Sequence, residues 1–242
     1  MKGVILAGGT GSRLSPLTDV TNKHLLPVGK KPMILHLVSK LVEVGINEIM
    51  IVTGTEHMGD MISLLGSGIK YSCSFTFKVQ EQAYGIADAL RLSRAFVGEE
   101  KVLVLLGDNM FEDSLSEYVQ NFKSSNLPCF LLLKKVPDPE RYGVAIIENG
   151  NLKAAIEKPK KLISDLCITG IYMYDNTVFK RIENLETSDR GEYEITELNN
   201  QYIKDGLAGY DTLSGWWTDA GTFSSYFKAN TLMHGNGEKI EA

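Results

Sequence analysis

The chain has 242 residues, a formal net charge of −5 and 43% hydrophobic residues, which suits one generous α/β domain with a real core, or two small ones. No apolar run approaches the ~18 residues of a membrane span, and one Lys before a short apolar run does not make a secretory leader. Cys73, Cys129 and Cys167 are far apart, odd in number and without C-x-x-C, which argues against a disulfide framework or a zinc site and suits a reducing cytoplasm, while an acidic balance with no basic patch outside the first loop argues against nucleic acid.

The chain opens on an apolar run, Val4–Ala7, that reads as a buried strand. Gly8, Gly9 and Gly11 follow at once. Glycines there admit positive φ and leave amide groups clear of side chains, and such amides form a nest for anionic oxygens. Between Thr10 and Met33, Arg13, Lys23, Lys30 and Lys31 stand against Asp19 alone, a local positive field on an acidic chain. A phosphate-rich ligand fits; so does a glycine-rich turn carrying ordinary surface cations. Two phosphate loops are excluded. There is no G-x-x-x-x-G-K-[ST], and Gly9-Thr10-Gly11 is followed by Leu14 where a dinucleotide fingerprint needs Gly, with Lys30-Lys31 where it needs an acid.

Apolar residues at 34, 37, 38, 41 and 42 have helical spacing, with Pro32 near the first turn and Gly45 as the stop. A strand is expected at 48–52, a short helix at 58–65, and an alternating strand at 74–79. Gly85 precedes a helix from Ile86 to about Phe96. The apolar strand 102–106 ends in Gly107-Asp108-Asn109, a helix spans 115–123, and an apolar strand spans 129–133. From Tyr142 the pattern changes. Strands at 144–148 and 152–157 flank Asn149-Gly150, a type I′ hairpin signal. A strand at 166–173, helices at 177–183 and 194–204, a strand at 207–213, and a helix from Thr222 to about His234 complete the pattern. The tail Gly235–Ala242 reads as frayed.

Strands alternating with helices predict an α/β fold with a mostly parallel sheet, covered on both faces where the runs are continuously apolar. In such sheets the ligand crevice lies beyond the carboxyl ends of the strands, so the Gly loop and Asp108 meet there. Asp108 and Asp219 each end a strand-like run. Two carboxylates beside a phosphate cradle suit Mg²⁺, which prefers a few carboxylates with phosphate oxygens and water. The plainer alternatives are a Gly-Asp turn at 108 and an acid ahead of a helix at 219.

The blocks GGTGSRLSPLT…NKHLLPV, LGDN (106–109), RYGV (141–144), EKP (157–159), TGIYMYD (169–175), RGEYEIT (190–196) and WWTDAG (216–221) stand in this order. With them the chain resembles the sugar-1-phosphate nucleotidyltransferases, most closely the glucose-1-phosphate thymidylyltransferases, from Lys2 to about His234. The resemblance implies an enzyme with a Rossmann-like, mostly parallel sheet flanked by helices and a smaller, β-rich, sugar-binding subdomain. It implies one nucleotidyltransferase domain over 1–242, with 1–140 its nucleotide-binding part and 141–242 its sugar-binding part. Gly8, Gly9 and Gly11 would hold the nucleotide, Arg13 and Lys23 would be the cations on the triphosphate, and Gln80 and Gly85 would read the pyrimidine edge. Asp108 and Asp219 would hold Mg²⁺. Tyr142, Gly143, Glu157, Thr169 and Gly170 would line the sugar, Lys158 and Arg190 would hold its phosphate, and Trp217 would wall the pocket.

The reaction so implied is in-line attack of glucose 1-phosphate on the α-phosphorus of dTTP, giving dTDP-glucose and pyrophosphate, with Arg13, Lys23 and Lys158 as the catalytic cations. The implied partners are a nucleoside triphosphate and a sugar 1-phosphate, in the cytoplasm, with neither nucleic acid nor membrane, and a homo-oligomer is compatible with the family. A UTP-using or other hexose-1-phosphate enzyme, or a silent nucleotide-sugar sensor on the same fold, are the alternatives. A sensor is expected to have lost one of Arg13, Lys23, Asp108, Lys158 or Asp219; all five are present. Departures from the family pattern are His24, where many members carry Gln, and Ala83–Asp88, which differs from the common PDGLAQA form. Longer members add a C-terminal helical extension that builds a regulatory site and part of the tetramer contact, so that site is expected to be missing here.

Overall fold

The computed structural model describes residues 1–235. The first half alternates as read: strand β1 (Lys2–Ala7), short strands β2 (Pro27–Val28) and β3 (Lys31–Pro32), helix α1 (Met33–Glu43), β4 (Glu48–Thr53), α2 (Met58–Leu65), β5 (Ser74–Val79), α3 (Ile86–Arg91), α4 (Arg94–Val97), β6 (Val102–Leu106), β7 (Asn109–Phe111), α5 (Ser116–Ser125) and β8 (Cys129–Lys135). The second half holds β9 (Gly143–Glu148), β10 (Asn151–Glu157), β11 (Leu166–Tyr174), α6 (Thr177–Glu183), α7 (Ile195–Lys204), β12 (Ala208–Thr212), β13 (Trp217–Asp219) and α8 (Phe223–Gly235). The tail read as frayed lies, past Gly235, outside the described residues.

Nine strands form one mixed, mostly parallel sheet in the order β10-β9-β11-β6-β1-β4-β5, with β8 joining β11 and β12 joining β8. The run β6-β1-β4-β5 is parallel. β11 runs antiparallel to β6, β8 and β9, so it hinges the parallel half to the 143–157 hairpin. That hairpin turns at Asn149 (φ 51°) and Gly150 (φ 76°), both positive as a type I′ turn requires.

The apolar strands are buried on both faces. Val4 and Leu6 pack on one side with Val102 and Val104, while Ile5 and Ala7 pack on the other with Leu103 and Leu105. This is the period-two alternation of a strand covered by helices above and below. α3, α6 and α7 cover the first face through Leu90, Ile182 and Tyr202; α1, α2 and α5 cover the second through Leu37, Leu65 and Phe122. Each such side chain contributes about 1.5–3 kcal/mol by leaving water. Cys129 and Cys167 are buried in the core.

Two expectations change. The helix expected to reach Phe96 breaks at Leu92-Ser93 into α3 and α4, where the Ser93 hydroxyl donates to the Leu90 carbonyl (2.7 Å) and so competes with the helical ladder. The Asp108 strand end is also more than a turn: Asn109–Phe111 pairs antiparallel with Trp217–Asp219, with Asp219 opposite Asn109. Among the described residues no helix is long and apolar enough to cross a membrane.

Candidate active site

The carboxyl ends of β1 and β6 face one crevice. Past β1 the chain enters the Gly loop, where Gly11 has φ +71° and a Cβ there would meet Thr18 at 2.9 Å, so only glycine turns the chain at this point. Among the described residues nothing accepts from the amides of Gly9 and Thr10, which are exposed. The loop then returns Lys23 beneath itself: a Cβ on Gly9 would lie 3.3 Å from Lys23 Nζ.

Lys23 Nζ donates to Asp108 Oδ2 (2.6 Å), and their side chains are only 11% and 15% exposed. Burial, the largest single influence, pushes the Asp108 carboxyl up, but the Lys23 ammonium together with the hydrogen bonds from Lys23 and Asn109 holds the group well below the ordinary carboxylate value. His24 is buried beside them against Gly107, with its main-chain amide and Nδ1 both on Asn22 Oδ1 (2.9 and 2.6 Å). Burial first, and Lys23 second, lower it from 6.5 to about 3 against the opposing pull of Asp108, so it is neutral at physiological pH.

Two cavities meet at Asp108. The smaller, about 230 Å³, is bounded by Gly8, Gly9, Lys23, His24, Gln80 and Gly85. Gln80 Nε2 donates to Asp88 Oδ2 (2.8 Å) and to the Gly85 carbonyl (3.2 Å), while its Oε1 lies beside Gly8. Gly85 has φ +101°, and a Cβ there would stand 2.6 Å from the Tyr193 carbonyl, so no other residue fits that wall.

The larger cavity, about 430 Å³, is bounded by Arg13, Tyr142, Gly143, Glu157, Lys158 and Arg190 together with Gly170, Trp217 and Asp219. Glu157 Oε2 accepts from the Thr196 hydroxyl (2.6 Å), and its Oε1 faces Lys158 Nζ (3.3 Å) and Arg190 Nη2 (3.7 Å). Arg190 Nη2 also pairs with Glu194 Oε1 at 2.7 Å. Tyr142 and Trp217 meet edge to face, centroids 5.2 Å apart. A third cleft of about 600 Å³ lies behind Glu157 and Thr196. Though the roomiest of the three, it carries four glutamates and no cation, and suits no phosphate.

The structure thus sets the sequence-predicted residues along the two cavities that share Asp108, with two exceptions: Gly11 lines neither and instead turns the loop against Thr18 and Lys23, and Thr169 faces away. Thr169 is fully buried and its hydroxyl donates to the Leu132 carbonyl (2.7 Å), while its neighbours Ile168 and Gly170 line the cavity. On β11 successive side chains point to opposite faces, so a strand presenting 168 and 170 must turn the side chain of 169 away.

Sequence reasoning missed two residues. Asn109 is a junction: its Oδ1 accepts from Trp217 Nε1 and the Gly170 amide (both 2.8 Å), and its Nδ2 donates to Asp108 Oδ1 (3.1 Å). Arg141 Nη2 reaches Asp219 Oδ1 (3.1 Å). Both lie in the quoted blocks LGDN and RYGV, but only the fold supplies their partners.

Asp108 and Asp219 converge on one point. A Cβ placed on Gly221 would lie 3.3 Å from Asp108 Oδ2, 3.3 Å from Asp219 Oδ2 and 3.2 Å from Arg13 Nη2. Glycine leaves that cradle open. Two carboxylate oxygens facing it, without a third His, Cys, Asp or Glu among the described residues, fit a hard divalent cation that completes its sphere with phosphate and water, and do not fit zinc.

The sequence matches the family described as nucleotidyl transferase over residues 2–235. The glucose-1-phosphate thymidylyltransferase of Neisseria meningitidis is 37% identical over 237 residues, covering 96% of this chain and 82% of that protein. A low-salt glycan biosynthesis nucleotidyltransferase of Haloferax volcanii is 37% identical over 235 residues, covering 96% of this chain and 66% of that protein. Among solved structures, a candidate glucose-1-phosphate thymidylyltransferase of Bacillus anthracis in complex with sucrose superposes with a TM-score of 0.93 at 54% identity, over 96% of this chain and 94% of that one. A UDP-glucose pyrophosphorylase complexed with UDP-glucose, 23% identical with a TM-score of 0.86, shares the fold. With a match along nearly the whole described chain, and relatives well above 30% identity covered for most of their length, the chain belongs to the nucleotidyl transferase family.

Proposed function

We propose that the chain is a glucose-1-phosphate thymidylyltransferase, condensing dTTP with glucose 1-phosphate to dTDP-glucose and pyrophosphate. The observation that carries this reading is the pair of adjoining cavities that share Asp108, one beneath the Gly loop and one ringed by Tyr142, Glu157 and two cations. Two anionic ligands entering from either side would meet at Asp108. The relatives supply the ligand names.

The nucleotide lies in the smaller cavity, in the 1–140 part, with its phosphates on the amides of the Gly loop and on Arg13 and Lys23. Gln80 and the Gly85 main chain read the pyrimidine edge, in a space sized against a purine. The sugar occupies the larger cavity, mainly in the 141–242 part, where Glu157 accepts from its hydroxyls and Trp217 and Tyr142 wall it. Lys158 and Arg190 hold its phosphate. Asp108 and Asp219 would hold Mg²⁺, which when bound neutralises phosphate charge as pyrophosphate leaves.

A phosphate oxygen of the sugar forms the new bond to the α-phosphorus. The bond to the bridging oxygen of pyrophosphate breaks in line, and that oxygen keeps the electron pair. The nucleophile is already an anion, so no general base is needed. Catalysis is then positioning plus charge neutralisation. Lys158 lowers the repulsion between the two phosphates, and Arg13 offsets charge on the leaving group.

A panel of dTTP, UTP, ATP and GTP against several hexose 1-phosphates, read by pyrophosphate release, tests this. The expected order is dTTP with glucose 1-phosphate first, UTP weaker, and purines last. Faster turnover with ATP or GTP than with dTTP sinks the reading.

A further inference from the structure

Asp219 is held more firmly than its role as a charge requires. Its Oδ1 accepts from the Tyr142 hydroxyl (2.8 Å) and from Arg141 Nη2 (3.1 Å), while its Oδ2 touches the same nitrogen at 3.2 Å. Oδ1 therefore has both lone-pair directions engaged, and Oδ2 is the oxygen turned to the Gly221 cradle that Asp108 Oδ2 also faces. Arg141 is itself fixed. Its Nη1 bonds Asp138 Oδ2 (2.8 Å), its amide bonds the Asp138 carbonyl (3.3 Å), and its guanidinium lies over the Tyr142 ring, 5.0 Å from the centroid. Asp138 is not part of the cavity wall.

A carboxylate can offer a cation one oxygen or two. Ca²⁺ accepts six to eight oxygens, including both from one carboxylate, in a flexible sphere; Mg²⁺ is smaller and demands near-ideal octahedral geometry. Arg141 Nη2 bridges both oxygens, but with the Tyr142 hydroxyl also on Oδ1 that oxygen carries two donors and is withheld, while Oδ2 carries one and keeps a lone pair for a cation. We infer that Arg141, anchored by Asp138 and acting together with the Tyr142 hydroxyl, is a positioning residue that confines Asp219 to one oxygen and so sets the preference of the site for Mg²⁺ over Ca²⁺. This rests on the reading above that Asp108 and Asp219 share a divalent cation. Charge and orientation are separable here. Removing the positive charge of Arg141 moves the affinity of every divalent cation in the same direction, whereas freeing the carboxylate to turn moves the ratio between a small rigid ion and a large flexible one.

The test is equilibrium cation competition on the intact protein with dTDP-glucose present and no turnover. Mn²⁺ is bound and followed by electron paramagnetic resonance, then displaced by Mg²⁺ or by Ca²⁺. The wild type is expected to yield its Mn²⁺ to Mg²⁺ at lower concentration than to Ca²⁺. Arg141→Ala should narrow that preference by about tenfold, the lower range for loss of an outer partner of a metal ligand. Asp138→Ala, which leaves the cavity wall untouched, should narrow it less and in the same direction, as should Tyr142→Phe. These two carry the test if Arg141→Ala does not fold. Equal weakening or tightening of both ions with an unchanged ratio overturns the inference, because Arg141 would then act by charge alone. Unchanged cation binding with a raised KM for glucose 1-phosphate also overturns it, placing Arg141 on the substrate. Mn²⁺ that never binds the wild type overturns the shared-cation reading beneath it, a different failure from an unchanged ratio.

Discussion

Lys23 is a residue with two claims on it. It is buried and bonded to Asp108 at 2.6 Å, yet it lies under Gly9, where the proposed triphosphate enters. A lysine so held has little charge to offer a bare phosphate until Asp108 gains another cation. Binding of dTTP with the metal chelated should therefore change little in Lys23→Met, because the lysine is already engaged. In an Asp108→Asn background the same substitution should weaken chelated dTTP binding by about tenfold or more, since the loss of a charge-assisted bond is worth about 1.5–3 kcal/mol. Calorimetric titration of the four proteins closes the cycle. Equal losses in both backgrounds show that Lys23 bridges carboxylate and phosphate at once.

At the scale of elements, the β7–β13 pair decides how far Asp219 stands from Asp108, and one buried carboxylate locks that pair. Asp113 Oδ2 accepts from the Tyr118 hydroxyl (2.6 Å), the Ser214 amide (2.8 Å) and the Ser214 hydroxyl (2.9 Å), and its Oδ1 accepts from the Gly215 amide (2.7 Å). Burial pushes this carboxyl up, but the four donors together hold it below its ordinary 3.8, and the same contact helps burial push the Tyr118 hydroxyl up to about 12. Asp113→Asn keeps the shape and turns an acceptor into a donor, so it should cost about 1–3 kcal/mol at neutral pH by urea unfolding. The folded value lies below the unfolded one, so the charge contributes its stability above pH ~4 and loses it as pH falls through the folded value. The gap between wild type and Asp113→Asn should close on acidification. A gap constant from pH 7 to pH 3 shows that the carboxylate charge is not what locks the loop.

Over the whole molecule, β11 is the strand that makes one site from two halves. It pairs with β6, whose end carries Asp108, and with β8, both of the first half, and with β9 of the second half. The two proposed ligands should therefore leave separate footprints that meet on this strand. In amide hydrogen exchange, dTTP alone is expected to protect 8–14 and 80–86, and glucose 1-phosphate alone 142–144, 157–158 and 190–196. dTDP-glucose should protect both sets and stabilise the fold by about 2.7 kcal/mol at a hundredfold excess over its Kd. If dTTP protects the 142–158 hairpin while leaving the Gly loop unchanged, the division of labour is reversed.

The amino-acid sequence determined the elements whose causes are local. Continuous apolar runs fixed β1 and β6, helical spacing fixed α1, and Asn149-Gly150 set the hairpin, because each depends on burial or on φ within a few residues. The site residues were legible as motif blocks, and Asp108 and Asp219 as acids at strand ends. What tertiary structure decided is which atoms meet. The register that sets Asp219 opposite Asn109, the bonds of Asn109 to residues 170 and 217, and the hold of Arg141 on Asp219 join positions far apart in the chain, where no periodicity links them. The same holds for Thr169, named by its motif yet turned into the core by strand alternation, whereas the break at Ser93 is itself local, a hydroxyl bonding the carbonyl three residues back. Local chemistry selects each element, but the direction in which a side chain points, and the charge it finds there, is set only when the sheet is assembled.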